Sequence, residues 1–290
     1  MSLVAVPNVS EGRDAAFVAR LVDSVTAAGT LVADVHSDQV HNRTVITAAA
    51  PARRLVDAMA ALAEAAAAID LTVHEGVHPR LGGLDVCPFV VDGVPVAAVV
   101  ETARSAGAAI AERAGLPVYL YGHAATRREC ENLPDLRRGG LARLIERSRS
   151  GLPPDFGPAE IAPRRGVVCV GARGVLIAFN VWLRCHAGIA RGIARGVRSH
   201  PDLSGVRALG LDLGDGRAQV SMNLTQPERT GIDRVFETVA ELAAAAGAAV
   251  DATELVGVPP ERYLPDPDAE AARLLIEPGR SLEAVLARRD

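Results

Sequence analysis

The sequence predicts an α/β protein of the α+β type: two αβ lobes, each a mixed sheet with helices. Three observations predict it. Short runs rich in Val, Leu and Ile alternate with longer alanine-rich stretches, the pattern of strands separated by helices. Near the middle the texture changes to "SRSGLPPDFGPAEIAPRR", a Pro- and Gly-rich stretch of the kind that separates domains, so an N-terminal lobe is expected over 1–165 and a C-terminal lobe over 166–290. The length of 290 residues is long for one compact core and natural for two.

In chain order, "LVAVPNV" reads as a short strand ending at a proline. A helix then starts at Ser10 or Gly12 and carries Phe17, Leu21, Val22 and Val25 on one face. "LVADVHS" and "TVITAAA" are strands around a polar loop, 52–69 is an alanine-rich helix, and His74 to Asp85 is a loop. "VCPFV" is a strand, 98–114 a helix and "LPVYLYG" a strand. Beyond the Pro-rich stretch, "GVVCVGARGVLIAFNVWL" gives two strands and 186–197 a helix. "VRALGLDLGDGRAQVSMNL" is a hairpin, because Asp215-Gly216 suits a tight turn whose central residues both need positive φ. "IDRVFETVAELAAAAG" is a helix, and 268–289 should form surface helices.

Composition narrows the function. An apolar fraction of 49% supplies a real core, and a formal net charge of −4 leaves no basic stripe for nucleic acid. The opening "MSLVAVPNVSEG" lacks a signal-peptide pattern and no apolar run approaches a membrane span, so a cytoplasmic protein with no membrane partner is expected. Cys87, Cys130, Cys169 and Cys185 are widely spaced and read as reduced thiols. His74 and His78 have HxxxH spacing, but Gly76 and Pro79 break the helix such a zinc site needs, so no metal is expected.

Four polar clusters end apolar elements: "VPNVSEGRD", "DVHSDQVHNRTV", "HEGVHPRLGGLD" and "DFGPAEIAPRRG". Loops at strand ends of α/β proteins are where ligands bind. Asn8 and Glu11 fit either a turn and helix start or ligand contact; His36, Asp38 and His41 fit either a site or a solvated loop. Asn42 and Arg43, entering a strand, offer a fork of donors suited to a carboxylate, and Arg80 has the same option. Asp85 reads as an anchor for the loop, to an Arg or a backbone N–H, rather than a catalyst. His78 stands out because Pro79 fixes the backbone after it and Gly76 permits a turn before it.

Taken together, "VPNVSEGRD", "HNRTV", "HPRLGGLDVCPF", "LPVYLYG", "PPDFGP", "VGARGVLIAFNV" and "QVSMNL" resemble, in order, the formiminotransferase domain of glutamate formiminotransferases. The resemblance implies transfer of a formimino group from N-formimino-L-glutamate to tetrahydrofolate as co-substrate, in histidine breakdown. It implies folate between the lobes, His78 as catalytic acid/base, and Gly157, Pro158, Pro163 and Gly166 on the folate site. It also implies a homodimer. An amidine undergoing attack is cationic, which gives Asp38 and Glu11 the role of stabilising charge and Arg43 and Arg80 that of holding the donor's carboxylates. Two departures stand out: Val77 precedes the histidine where relatives carry Glu, and Arg165 precedes Gly166 where an aromatic residue is common. They keep open a different donor, such as formiminoglycine, and a folate-binding module without turnover. The cyclodeaminase domain of bifunctional relatives has no counterpart before Asp290, so a separate cyclodeaminase is expected to take the product.

Overall fold

The computed structural model describes residues 2–77 and 79–289. The chain divides into two compact units, Met1–Arg173 and Gly174–Asp290.

The first unit is built on a seven-stranded sheet. Its strands are β1 (Ser2–Ala5), β2 (Asn8–Val9), β3 (Leu31–Asp38), β4 (Arg43–Pro51), β5 (Leu84–Val91), β6 (Val118–Gly122) and β7 (Val168–Gly174). β1 and β2 are two halves of one path between β4 and β5. The break falls at Pro7, which has no N–H for a ladder. β1 to β5 pair antiparallel with one another, and β7 lies parallel beside β6. This parallel partner places the division between the units at Arg173/Gly174, later than the change of texture at 165/166.

Three helices, α1 (Ala15–Thr26), α2 (Ala52–Ala66) and α3 (Val96–Ala114), cover one face. α1 begins later than Ser10 or Gly12, because Ser10 is drawn into the sheet. Its N–H donates to the Gly83 carbonyl at 2.8 Å and its hydroxyl to the Gly82 carbonyl at 2.8 Å. Asp14 caps the helix instead, accepting from the Phe17 N–H at 2.9 Å. On the core side, Leu55, Met59 and Leu62 of α2 are fully buried, each contributing about 1.5–3 kcal/mol by leaving water. Alternation then sorts the strands. Val118 and Leu120 face the three helices, while Tyr119 and Tyr121 face a second cluster with Leu136 and Leu144. Those two leucines belong to α4 (Leu133–Arg137) and α5 (Gly140–Arg149).

The second unit has a four-stranded sheet in the order β11-β8-β10-β9. Its strands are β8 (Ile177–Arg184), β9 (Val206–Gly214), β10 (Arg217–Leu224) and β11 (Ala249–Val256). Mixed pairing, expected in both lobes, is confined to the first: these strands are antiparallel throughout, because hairpins and return helices connect them. The β9–β10 turn is made by Asp215 and Gly216, with φ of 51° and 72°. Helices α6 (Ala187–Ser199) and α7 (Ile232–Ala245) pack on Phe179, Val181 and Val220. The alternate residues of the same strands, Asn180, Trp182, Gln219 and Glu254, form the sheet's polar face. The tail contributes the short α8 (Glu270–Arg273) and α9 (Leu282–Leu286).

Candidate active site

Strand register assembles the predicted residues. Asn8 lies opposite Val45, which lies opposite His36, and Arg43 lies opposite Asp38. Directly opposed residues share a face, so Asn8, His36, Asp38 and Arg43 stand on the side of the sheet away from α1, α2 and α3. β5 brings Asp85 to them through an irregularity: Asn8 pairs with Val86 but Val9 with Leu84, leaving Asp85 as the extra residue.

Asp85 is fully buried and organises what surrounds it. One oxygen accepts the Leu81 N–H at 2.7 Å. The other accepts Arg43 Nη1 at 2.9 Å and Arg137 Nη2 at 2.6 Å. This is the anchoring role expected for Asp85, with two arginines instead of one. Arg137, at the end of α4, is the residue the sequence reading missed.

Arg43 also donates to Asn8 Oδ1, through Nε at 3.0 Å and Nη2 at 2.7 Å. Its fork is therefore spent on the frame. Burial pulls the guanidinium down to about 10, against the opposing charge of Asp85. Arg80 is half-buried. Its Nη1 meets His74 Nδ1, and its Nη2 donates to the His41 carbonyl at 3.3 Å. Burial lowers its pKa as well, again opposed by Asp85. Around one buried carboxylate the corner thus gathers Arg43, Arg80 and Arg137, and it is electropositive.

Asn42, buried and at φ 48°, is a bridge. Its Oδ1 accepts the Gly12 N–H at 2.9 Å and its Nδ2 donates to the Glu75 carbonyl at 2.8 Å. Asp38 turns to His41, accepting its N–H at 2.7 Å with Nδ1 at 3.2 Å. Burial opposes ionisation of Asp38, but these hydrogen bonds outweigh it and hold the carboxyl below its ordinary range. Glu11 accepts the N–H groups of Arg13 and Asp14 at 2.7 and 2.9 Å, the helix-start role. It also faces His74 electrostatically. Burial, then the Arg80 charge, push the His74 pKa below its ordinary value, with Glu11 opposing, so this imidazole is neutral at neutral pH. His78 lies outside the described residues. Among those residues no group of three His, Cys, Asp or Glu is placed to hold a metal.

The four loop residues expected on a folate site separate. Gly166 is buried beneath the His74 to Asp85 loop, and a Cβ on it would stand 1.9 Å from the Leu81 carbonyl oxygen. Gly157 lies at the far end of α3, with Leu116 O and Ala111 as neighbours. Pro158 and Pro163 are exposed. Arg165 donates to the Ala114 carbonyl at 2.6 Å.

The fold and this corner define an α/β protein in which one buried carboxylate gathers arginines at the end of a sheet. Comparison with known proteins makes that specific. Residues 2–173 match the N-terminal subdomain of the formiminotransferase domain, and residues 178–276 match the formiminotransferase domain model. The chain belongs to the formiminotransferase family. A protein of Thermoplasma acidophilum named glutamate formimidoyltransferase is 38% identical over 92% of this chain and 91% of its own. One of the same name from Streptococcus pyogenes is 36% identical over 90% of each. The formimidoyltransferase-cyclodeaminase of Sus scrofa is 38% identical over 90% of this chain and 50% of its own length.

Proposed function

We propose that this protein is a glutamate formimidoyltransferase, moving the formimino group from N-formimino-L-glutamate to tetrahydrofolate to give 5-formimino-tetrahydrofolate and L-glutamate. The observation that carries the reading is the electropositive corner of Arg43, Arg80 and Arg137 around Asp85, set at the loop that bears the family's histidine motif. A donor with two carboxylates needs fixed cations. Arg80 is the cation assigned to the donor, which would exchange for its contacts with His74 and the His41 carbonyl. Arg43, engaged with Asn8 and Asp85, supplies charge.

The attacked carbon is an amidine. Attack by the folate nitrogen gives a tetrahedral intermediate bearing three nitrogens, and two protons must move: one off the attacking nitrogen, one onto the departing glutamate nitrogen. A group titrating near neutrality serves both, and His78 is the residue for it. Neutral His74, against Arg80, holds the arginine rather than competing for the proton. Cationic charge developing on the amidine is met by Asp38, which stays ionised, and by Glu11. Tetrahydrofolate enters as substrate; of the four residues expected on its site, Gly157, Pro158 and Pro163 are exposed and open to a ligand, whereas Gly166 is buried and serves the packing of the loop. The enzyme is read as a cytoplasmic homodimer, its four free cysteines suiting a reducing compartment. A cyclodeaminase is the activity that would take the product; the Sus scrofa relative carries both names in one chain.

The test is an assay of the purified protein with tetrahydrofolate and a panel of donors. N-formimino-L-glutamate should release glutamate, with formiminoglycine far poorer. Turnover with formiminoglycine alone would overturn the donor, and no turnover with any donor would overturn the reading.

A further inference from the structure

The contact between Arg80 and His74 fixes where the imidazole carries its proton. A guanidinium can only donate, so His74 Nδ1, which meets Arg80 Nη1, is the accepting nitrogen, and the neutral ring has its hydrogen on Nε2. Nε2 stands farther from the same Nη1, at 3.5 Å. The ring also donates to the Ser10 main chain, and with Nδ1 taken the donating nitrogen is Nε2. Ser10 is itself pinned, its N–H to the Gly83 carbonyl and its hydroxyl to the Gly82 carbonyl, each at 2.8 Å. Arg80 completes the chain by donating through Nη2 to the His41 carbonyl at 3.3 Å. Both prongs of its fork thus rest on acceptors of the protein itself. The charged groups facing the imidazole are Arg80 from its own loop and Glu11 and Arg13 from the segment before α1. Asp85, Arg13, Arg137 and Arg43 face Arg80 in turn.

We infer that binding of the donor's carboxylate is coupled to protonation of His74: Arg80 turns its fork to the carboxylate, and the vacated Nδ1 takes up a proton. The inference rests on the proposed function, in which Arg80 is the donor's cation. It is a competition for one lone pair. Nδ1 cannot hold a proton and accept from Arg80 at once, so the contact keeps the ring neutral, and burial and the Arg80 charge act in the same direction. A carboxylate on Arg80 changes this twice. It takes away the hydrogen bond that occupied Nδ1, and it sets a negative charge beside the ring, which favours the imidazolium. The new Nδ1–H bond is made with a proton drawn from the buffer; it donates to the same carboxylate while Nε2–H stays on Ser10. By linkage, binding takes up protons across the window between the lowered pKa and the raised one, and affinity for the carboxylate rises as pH falls through that window.

Calorimetry counts the proton. L-Glutamate, which keeps both carboxylates of the donor, is titrated into the full-length protein with tetrahydrofolate present, a pair that does not react, in two buffers of unlike ionisation enthalpy. At about pH 6.5 binding should take up about half a proton, falling to none at about pH 8.5, with affinity about threefold or more higher at the lower pH. His74→Gln offers Arg80 an acceptor and Ser10 a donor without titrating, so its uptake should be near zero at both pH values. Wild type without uptake, or the same uptake in His74→Gln, would overturn the coupling. If His74→Gln binds too weakly to titrate, the ¹⁵N shifts of the wild-type imidazoles decide. At about pH 6.5 one of the seven rings should pass from the neutral Nε2–H form to the imidazolium as L-glutamate binds, and no ring changing state would overturn the proposal. The two readings fail separately: uptake that His74→Gln abolishes, with no glutamate released in the transfer assay, overturns the transferase and leaves the coupling, whereas glutamate release without uptake does the reverse.

Discussion

Replacing Asp85 with Asn tests the frame of the site most directly. The carboxylate is fully buried and serves Leu81 N–H, Arg43 Nη1 and Arg137 Nη2 at 2.7, 2.9 and 2.6 Å. An amide has one oxygen where three donors converge on two. In either orientation its NH₂ faces a donor, and two guanidiniums are left without a counter-charge. Breaking a buried ion pair from one side typically costs about 3–5 kcal/mol. For a unit the size of Met1–Arg173, each kcal/mol moves the melting temperature by about 2–4 °C, which gives a fall of about 6–20 °C. The assay is thermal unfolding followed by far-ultraviolet circular dichroism, with Arg137→Met added in the Asp85→Asn background. Removing one stranded cation should recover part of the loss. Melting within about 2 °C of wild type, or a further fall in the double variant, would refute the neutralising role of Asp85.

Three further outcomes are expected. His78→Ala should lower kcat by about a hundredfold or more with folate affinity nearly intact; wild-type turnover would move the chemistry elsewhere. Arg80→Lys keeps the charge and loses the planar fork, so the donor KM should rise more than the folate KM, and equal changes in the two would count against the assignment. For pH, His74 has a folded pKa below 6.5, so between that value and 6.5 the unfolded chain binds more protons and stability falls as pH drops through 6.5. Asp38, lowered from 3.8, contributes stability that is present above 3.8 and is lost as pH falls through its folded value. His74→Gln should therefore flatten the dependence of Tm on pH just below 6.5, and an unchanged slope there would show that His74 is not the group responsible.

Much of this was legible in the sequence, and what was not has physical causes. The strand and helix alternation and the Asp215-Gly216 turn are local signals, and local signals survive folding. The partner of β7 is not local. Nothing in "VVCVGARG" says whether it joins the strand before it or the strand after it, so the boundary moved. α4 and α5 are short and rich in arginine, with Gly139 between them and Gly140 opening α5, which hides their single buried leucines. β11 carries the polar alternation of a strand with one unapolar face, and its Glu254 looks like any surface acid until the register sets it opposite Asn180. In the site, the cluster "HNRTV" pointed to Arg43 and the loop pointed to Asp85, but Arg137 reaches Asp85 from 52 positions away, and no pattern in one sequence announces such a meeting.

The Val77 departure bears on how the loop is held. Val77 N–H donates to the Val40 carbonyl at 3.3 Å and the Glu75 carbonyl accepts Asn42 Nδ2 at 2.8 Å. After position 78 the Pro79 carbonyl accepts Arg137 Nη2 at 2.5 Å, and Leu81 is fixed through its N–H by Asp85 and through its carbonyl by the Val167 N–H at 2.9 Å. At Gly82 a Cβ would lie 2.0 Å from the Val167 carbonyl oxygen, so the approach that makes this last contact is open only to glycine. Both flanks of the histidine are therefore pinned through main-chain atoms, by groups that come from other elements. A loop held in this way keeps its path when its own side chains change. Val77, 44% exposed, holds the loop by its N–H alone, so a Glu in its place loosens no contact that the loop depends on. The substitution therefore acts on what the loop presents to the donor, which is why donor choice, rather than stability or folate affinity, is the property in which a Val77→Glu variant should differ.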